Sequence, residues 1–217
     1  MNNLLQHISR QQLDSFEQRY RAKLVNSLSG FKSANLIGTK CKAGIENLSI
    51  VSSVFHLGAN PPLVGMINRP DTVRRDTLSN IKANQEFSIN HVNAKIWQQA
   101  HQCSARYDKT ISEFEAVGLK PQYINNFNCP FVHESEVKYG VSLIEIVDIK
   151  HNGTTMIVGE IQDIFVNEKA LLDDGFIDIE LLETIAVSSL DSYHLTTKLG
   201  RLAYAKPERA VTPLQGI

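Results

Sequence analysis

The sequence predicts a mainly β fold: an antiparallel sheet closed into a barrel, with a few peripheral helices. Strand-like runs outnumber helical ones, and the connections between them are turns rather than regular helical crossovers. VSLIEIVDIK and TTMIVGEIQDIFV, joined through His151-Asn152-Gly153, read as a hairpin in which Asn152-Gly153 supplies the positive torsions of a tight turn. Closure into a barrel removes the exposed edges that a long antiparallel sheet must otherwise protect.

Residues 1–30 carry apolar positions at helical intervals, with Ser9 or Asp14 as start signals and Gly30 as a stop. FKSANLIGTK, GIENLSIVSSVFHLG and PPLVGMIN follow as strands, the last entered through Pro61-Pro62. RRDTLSNIKANQEF is a helix with Leu78, Ile81 and Phe87 toward the core and Lys82, Asn84 and Gln85 toward water. SINHV is a strand, and ISEFEAVGLKP is a short helix stopped by Gly118 and Pro121. Beyond the hairpin, EKALLDDGFIDIELLETIAVSS reads as a turn, a short strand and one helix, and AKPERAVTPLQGI as an extended surface tail. With no repeat and no interior linker, the 217 residues read as one domain, 1–30 being a helical extension and 206–217 the tail.

Composition narrows the function classes. A hydrophobic content of 42% and 22 basic against 23 acidic residues describe an ordinary globular chain with no basic stripe for nucleic acid. Apolar runs stop short of the roughly 20 residues of a membrane span, and no secretory start is present, so a cytoplasmic location is expected. Cys41, Cys103 and Cys129 form no CxxC pair. His101 and Cys103 are neighbours of thiolate-and-base type but lack a third member. The histidines have no zinc-type spacing, so no metal is expected. GxGxxG, GxxxxGK[ST] and GxSxG are absent. If the chain is an enzyme, a bound cofactor is the economical source of its reactive group.

RRDTLSNI, residues 74–81, is the strongest binding signal. A helix start leaves backbone N–H groups free and partly positive, which favours a phosphate. Asp76 or Thr77 can occupy the cap position, the Thr77 hydroxyl adds a donor, and Arg75 adds a fork that matches phosphate. The plainer reading is a capped surface helix with solvated arginines, Arg74 among them.

The surrounding order of motifs resembles the flavin reductase-like family. Asn47-Leu48-Ser49 with Ser52 is similar to its N-x-A/S-P-x-S strand, and Pro61-Pro62 to the proline pair that follows. Arg75-Asp76-Thr77 with Asn80-Ile81 resembles its helix start, and Glu86-Phe87 with Asn90 its next strand. SARYDKTISEFEAVGL, NGTTMIVGEIQDIFV and SYHLTTKLGRLAY extend the likeness over roughly residues 30 to 205. Ile50 stands where many relatives have proline, and Val51 and Val54 replace aromatics, which makes the expected ring pocket more aliphatic.

The resemblance implies an FMN-binding split β-barrel. Arg75 and Thr77 would hold the phosphate, with Ser52 and Ser53 adding strand hydroxyls, while Asn47, Leu48 and Ser49 would lie along the isoalloxazine. It implies a homodimer with FMN near the interface, and hydride transfer from NADH or NADPH onto FMN. Electrons would then pass to free flavin or another small-molecule or protein acceptor, with no side-chain acid or base and no metal. Plainer readings stand beside these: Asn47 as a turn residue, Ser52 and Ser53 as strand hydroxyls, and Trp97, Tyr193 and Arg201 as packing or surface contacts rather than flavin or dimer contacts. Three other functions are compatible. One is an FMN electron carrier without direct NAD(P)H oxidation. Another is a split-barrel oxidase or haem-handling protein, with His56, His91 and His133 as axial candidates. The third is a non-catalytic binding barrel.

Overall fold

A computed structural model describes residues 5–70 and 76–214. Two helices come first, α1 (Arg10–Ser15) and α2 (Gln18–Ser27). Ser9 caps α1 in a reciprocal capping box with Gln12, and the Glu17 carboxylate caps α2. Strands β1 (Lys32–Ser33), β2 (Asn35–Lys40), β3 (Glu46–Val51), β4 (Phe55–Ala59) and β5 (Pro62–Asn68) follow, then α3 (Asp76–Asn84) and β6 (Glu86–His91). Next come α4 (Trp97–Gln102), α5 (Glu113–Val117), β7 (Pro121–Gln122) and β8 (Phe131–Val132). The long strands β9 (Val137–Ile149) and β10 (Thr154–Val166) precede the short β11 (Ala186–Ser188) and β12 (Ser192–His194).

The main sheet has seven strands in the order β3-β2-β6-β9-β10-β5-β4, and every pair in it is antiparallel. Its two end strands, β3 and β4, are consecutive in sequence and joined only by Ser52, Ser53 and Val54. The sheet therefore curls shut through a covalent corner, without a hydrogen-bonded seam. Side-chain packing shows the curl: Ile37 of β2 and Val64 and Met66 of β5 share one core with Ile89, Val141 and Ile157. Val51 and Val54, on either side of the corner, pack onto the same core. Register shifts in the β9–β10 pair, at Val158/Gly159 and Ile161/Asp163, bend these 13-residue strands around it.

Strand alternation sorts the two faces. Ile37 points into the barrel, where α3 contributes Leu78 and Ile81. Leu36 and Leu48 point outward into a second core with Ile96 and Ala100 of the α4 region and Phe114 of α5. One face of the β2–β3 hairpin therefore meets α3, and the other meets α4 and α5.

Several sequence expectations change. GIENLSIVSSVFHLG is two strands, because Ser53 leaves the ladder: its hydroxyl donates to the Ile67 carbonyl at 2.9 Å and accepts the Ile67 N–H at 3.2 Å. The β9–β10 turn spans 150–153, and only Gly153 takes a positive φ (+70°). Asn152 instead accepts from the Thr154 N–H and hydroxyl at 3.1 and 2.7 Å. Phe87 lies on β6 rather than in the helix, Gln85 ends the helix region with φ +63°, and half-buried Asn84 donates to the Lys40 carbonyl instead of facing water. The one helix expected within EKALLDDGFIDIELLETIAVSS does not form as an α-helix. Ile185 N–H pairs with the Val92 carbonyl at 3.0 Å and Glu183 accepts from Ala94 N–H at 3.0 Å, so edge pairing overrides helical propensity. Only a 3₁₀ turn, Glu168–Ala170, remains of it. Among the described residues no helix is long and apolar enough to cross a membrane.

Candidate functional site

The helix α3 starts at Asp76, so Asp76 and Thr77 both lie within its first turn and neither caps it. Arg74 and Arg75 lie outside the described residues. Thr77 turns its hydroxyl onto β3, 3.0 Å from Asn47 Oδ1 and 2.9 Å from Ser49 Oγ. Three of the sequence-predicted residues thus form one cluster.

Two further residues complete it: Thr39, which no motif marks, and Asn80, which the helix-start motif includes without a site role. Buried Asn80, one helical turn after Thr77, donates through Nδ2 to the Thr39 hydroxyl at 3.1 Å, and Thr39 donates to Asn47 Oδ1 at 3.1 Å. The hydroxyls of Thr39 and Thr77 both converge on Oδ1, which marks it as the side of the Asn47 amide that faces α3. A helix and a hairpin are thereby pinned by side-chain hydrogen bonds whose polar groups are mutually satisfied.

The other side of the Asn47 amide meets α5. Its Nδ2 donates to Glu113 Oε2 at 2.9 Å, and the Leu48 backbone N–H donates to the same oxygen at 3.0 Å. Burial raises the Glu113 carboxyl above the usual carboxylate range, against the lowering effect of these hydrogen bonds, and the charge of Asp76 adds to the rise. A concavity of about 370 Å³ opens beside this contact, lined by Glu113, Asn47, Asn80, Asp76 and Cys41 among others.

The Leu48 N–H contact also reveals the state of the strand edge. Among the described residues β3 pairs only with β2, as the end strand of the sheet. In an antiparallel ladder alternate residues direct N–H and C=O away from the partner, and Leu48 does so here. Ile50, two residues on, has the same orientation, and its N–H and C=O meet no partner among the described residues. The half-buried Ser52 hydroxyl, at the barrel corner, likewise has none among them. By contrast, the Ser53 proton is committed to Ile67, and the Leu48 side chain is fully buried, leaving only its backbone for a ligand.

The remaining candidates lie elsewhere. Tyr193 Oη sits 2.8 Å from His101 Nδ1, and its ring is 5.5 Å from that of Trp97, forming a surface aromatic cluster on α4 and β12. Arg201 pairs with Asp174 at 2.5 Å and covers the Phe176 ring at 4.1 Å. Burial pushes the Cys103 thiol up to about 12, and His101 bonds to Tyr193 rather than to Cys103, so this pair does not form a thiolate and base. His56 and His133 are exposed, and His91 is pushed down to about 4 by burial.

An open antiparallel sheet curled around a core, with its two end strands joined at a corner, is a split β-barrel. The chain belongs to the flavin reductase like domain family, whose model matches residues 28–177. A protein from Shewanella frigidimarina NCIMB 400, assigned as a flavin reductase with a split barrel domain, superposes with a TM-score of 0.90 at 54% identity, over 92% of this chain and 100% of that one. Nitrilotriacetate monooxygenase component B from Bacillus cereus shares the fold with a TM-score of 0.81 at 20% identity, over 92% of this chain and 100% of that one. An uncharacterized protein of Aquifex aeolicus (strain VF5) is 26% identical over 129 residues, which cover 58% of this chain and 66% of that protein.

Proposed function

We propose that the protein is an FMN-binding oxidoreductase of flavin reductase type. The observation that carries this reading is the free edge of β3. Unpaired backbone groups at Ile50 lie beside the Thr77, Ser49 and Asn47 cluster, and the start of α3 stands next to them. A strand edge with alternate free N–H and C=O groups matches the donor and acceptor edge of an isoalloxazine, and the first turn of a nine-residue helix suits a phosphate.

Thr77 and Ser49, whose protons are taken up within the cluster, would offer hydroxyl lone pairs to N–H groups of the ring system, and Ser52 would offer a hydroxyl at the corner, with Arg75 adding its guanidinium. Asn47 would hold Thr77 in place, and the β3 backbone would align the ring system. When bound, FMN supplies the redox chemistry: hydride acceptance from NADH or NADPH and electron delivery to free flavin or another acceptor. The chain's own part is binding, orientation and hydrogen bonding. We further infer a homodimer, supported by the exposed apolar side chains Leu195, Leu199, Leu202 and Tyr204 in one C-terminal segment.

The test is the visible absorption spectrum of the purified protein after incubation with FMN and desalting, followed by anaerobic addition of NADH or NADPH. Retained flavin bands that bleach with either nucleotide support the reductase. Retained bands that do not bleach identify an electron carrier. A colourless protein that neither retains nor quenches FMN refutes the flavin reading.

A further inference from the structure

Glu113 is not among the site residues expected from the sequence, yet its carboxylate makes the contact that orients the site. Oε2 alone accepts from both Asn47 Nδ2, at 2.9 Å, and the Leu48 N–H, at 3.0 Å. These two donors belong to different parts of the proposed flavin site: one is the side chain that holds Thr77, and the other is the backbone of the free strand edge.

An asparagine amide has two orientations that differ by exchange of its oxygen and nitrogen. With Nδ2 on Glu113, Oδ1 faces the hydroxyls of Thr39 and Thr77 and can accept from both. In the flipped orientation Oδ1 would oppose the Glu113 carboxylate, acceptor against acceptor, and the Thr39 and Thr77 hydroxyls would lose the oxygen to which both donate. An acceptor at position 113 therefore selects one flip state. That choice sets the hydroxyl directions: the Thr77 proton goes to Asn47, and Ser49, 2.9 Å from Thr77, can then donate to Thr77 while its lone pairs stay turned outward. At the same time Oε2 satisfies the Leu48 N–H, which leaves Ile50 as the next outward-facing position on the edge of β3.

We propose that Glu113 is a positioning residue of the flavin site, acting as the hydrogen-bond acceptor that locks the Asn47 amide and the β3 edge in the ligand-ready arrangement. This rests on the flavin reading above. It assigns α5, which contributes no other residue to the site, a role in presenting a ligand to α3 and β3. The contact also gives a reason for α5 to dock where it does: Phe114, the next residue, is buried in the outer core against Leu48, so packing and hydrogen bonding place the helix in one register.

The experiment compares FMN dissociation constants, by quenching of flavin fluorescence, for wild type, Glu113→Ala and Glu113→Gln, together with the side-chain amide NMR signals of Asn47 in the flavin-free proteins. Gln retains an acceptor oxygen at the same reach, and Ala removes it. Loss of a charge-assisted hydrogen bond predicts FMN binding weakened by roughly tenfold or more in Glu113→Ala. Glu113→Gln is expected to bind within about threefold of wild type on the same grounds. The Asn47 amide signals should move in the Ala variant and hold in the Gln variant. Should Glu113→Ala fail to fold, Glu113→Met keeps the volume, removes the acceptor and is read the same way. FMN binding unchanged on loss of the acceptor overturns the proposal, and so does a Gln variant as impaired as Ala, which would make the charge rather than the acceptor responsible. Wild-type protein that binds no FMN refutes the flavin reading instead, an outcome visible before any variant is compared.

Discussion

Thr77 and Asn47 stand 3.0 Å apart, hydroxyl to amide oxygen, and this contact ties the first turn of α3 to the edge strand β3. Two segments separated by 30 positions in sequence are brought together by the same residues proposed to receive the ligand. Preorganisation follows: the hydroxyls are held in place before anything binds, so less ordering entropy is lost on binding.

Thr77→Val keeps the β-branched shape and removes the hydroxyl, leaving Asn47 Oδ1 with Thr39 alone and Ser49 without its neighbour. A stability loss of about 1 kcal/mol is expected from the lost hydrogen bond. FMN affinity should fall by about tenfold, since a binding group and its positioning are removed together. Urea unfolding and a fluorescence titration with FMN measure the two effects separately.

Ser52 and Ser53 are adjacent but have opposite expected roles. Ser53 bridges both backbone groups of Ile67 across the corner, whereas the Ser52 hydroxyl has no partner among the described residues. Ser53→Ala should cost about 1–2 kcal/mol of stability through the Ile67 groups it leaves unpaired. Ser52→Ala should leave stability within about 0.5 kcal/mol and lower FMN affinity. The reverse pattern in paired melting and binding experiments would remove Ser52 from the site.

His91 gives a pH dependence of folding. Burial lowers its pKa from 6.5 to about 4, so the folded state keeps it neutral where the unfolded chain takes up a proton. The stability associated with neutral His91 is complete above pH 6.5, falls as the pH drops from 6.5 toward 4, and stops changing below 4. The total amounts to about 3 kcal/mol on the linkage scale. Urea unfolding between pH 7.5 and 4.5 should show this slope in the wild type and a shallower one in His91→Phe, whose side chain does not titrate.

Much of the fold was legible because it rests on local pattern. The strand-like runs of β2, β5, β6, β9 and β10 and the glycine stop of α5 at φ +74° are written in short windows of sequence. Where long-range pairing decides, the local signal fails. The helix expected within EKALLDDGFIDIELLETIAVSS gives way to pairing of Glu183 and Ile185 with Ala94 and Val92. The break at Ser52–Val54 is invisible until β5 supplies Ile67 as a partner for Ser53. In the site, Asn47, Ser49 and Thr77 were marked by motif. Thr39 and Asn80 carry the hydrogen bonds that fix the Asn47 amide, and Glu113 reaches the site from 66 residues away. Asn80 shares the helix-start motif with Thr77, but no spacing rule links Thr39 or Glu113 to it, because the barrel's curl and α5 docking bring them together.

The central claim is that ligand binds along the free edge of β3 at the start of α3. The most direct measurement is an amide NMR titration of the isotopically labelled protein with FMN, following the backbone signals of Leu48, Ile50 and Ser52 and of the first turn of α3. Largest shifts at Ile50, Ser52 and Thr77, saturating together with flavin fluorescence quenching, are the predicted result. Shifts that cluster instead around Trp97 and Tyr193, with Ile50 and Thr77 unmoved, would contradict it.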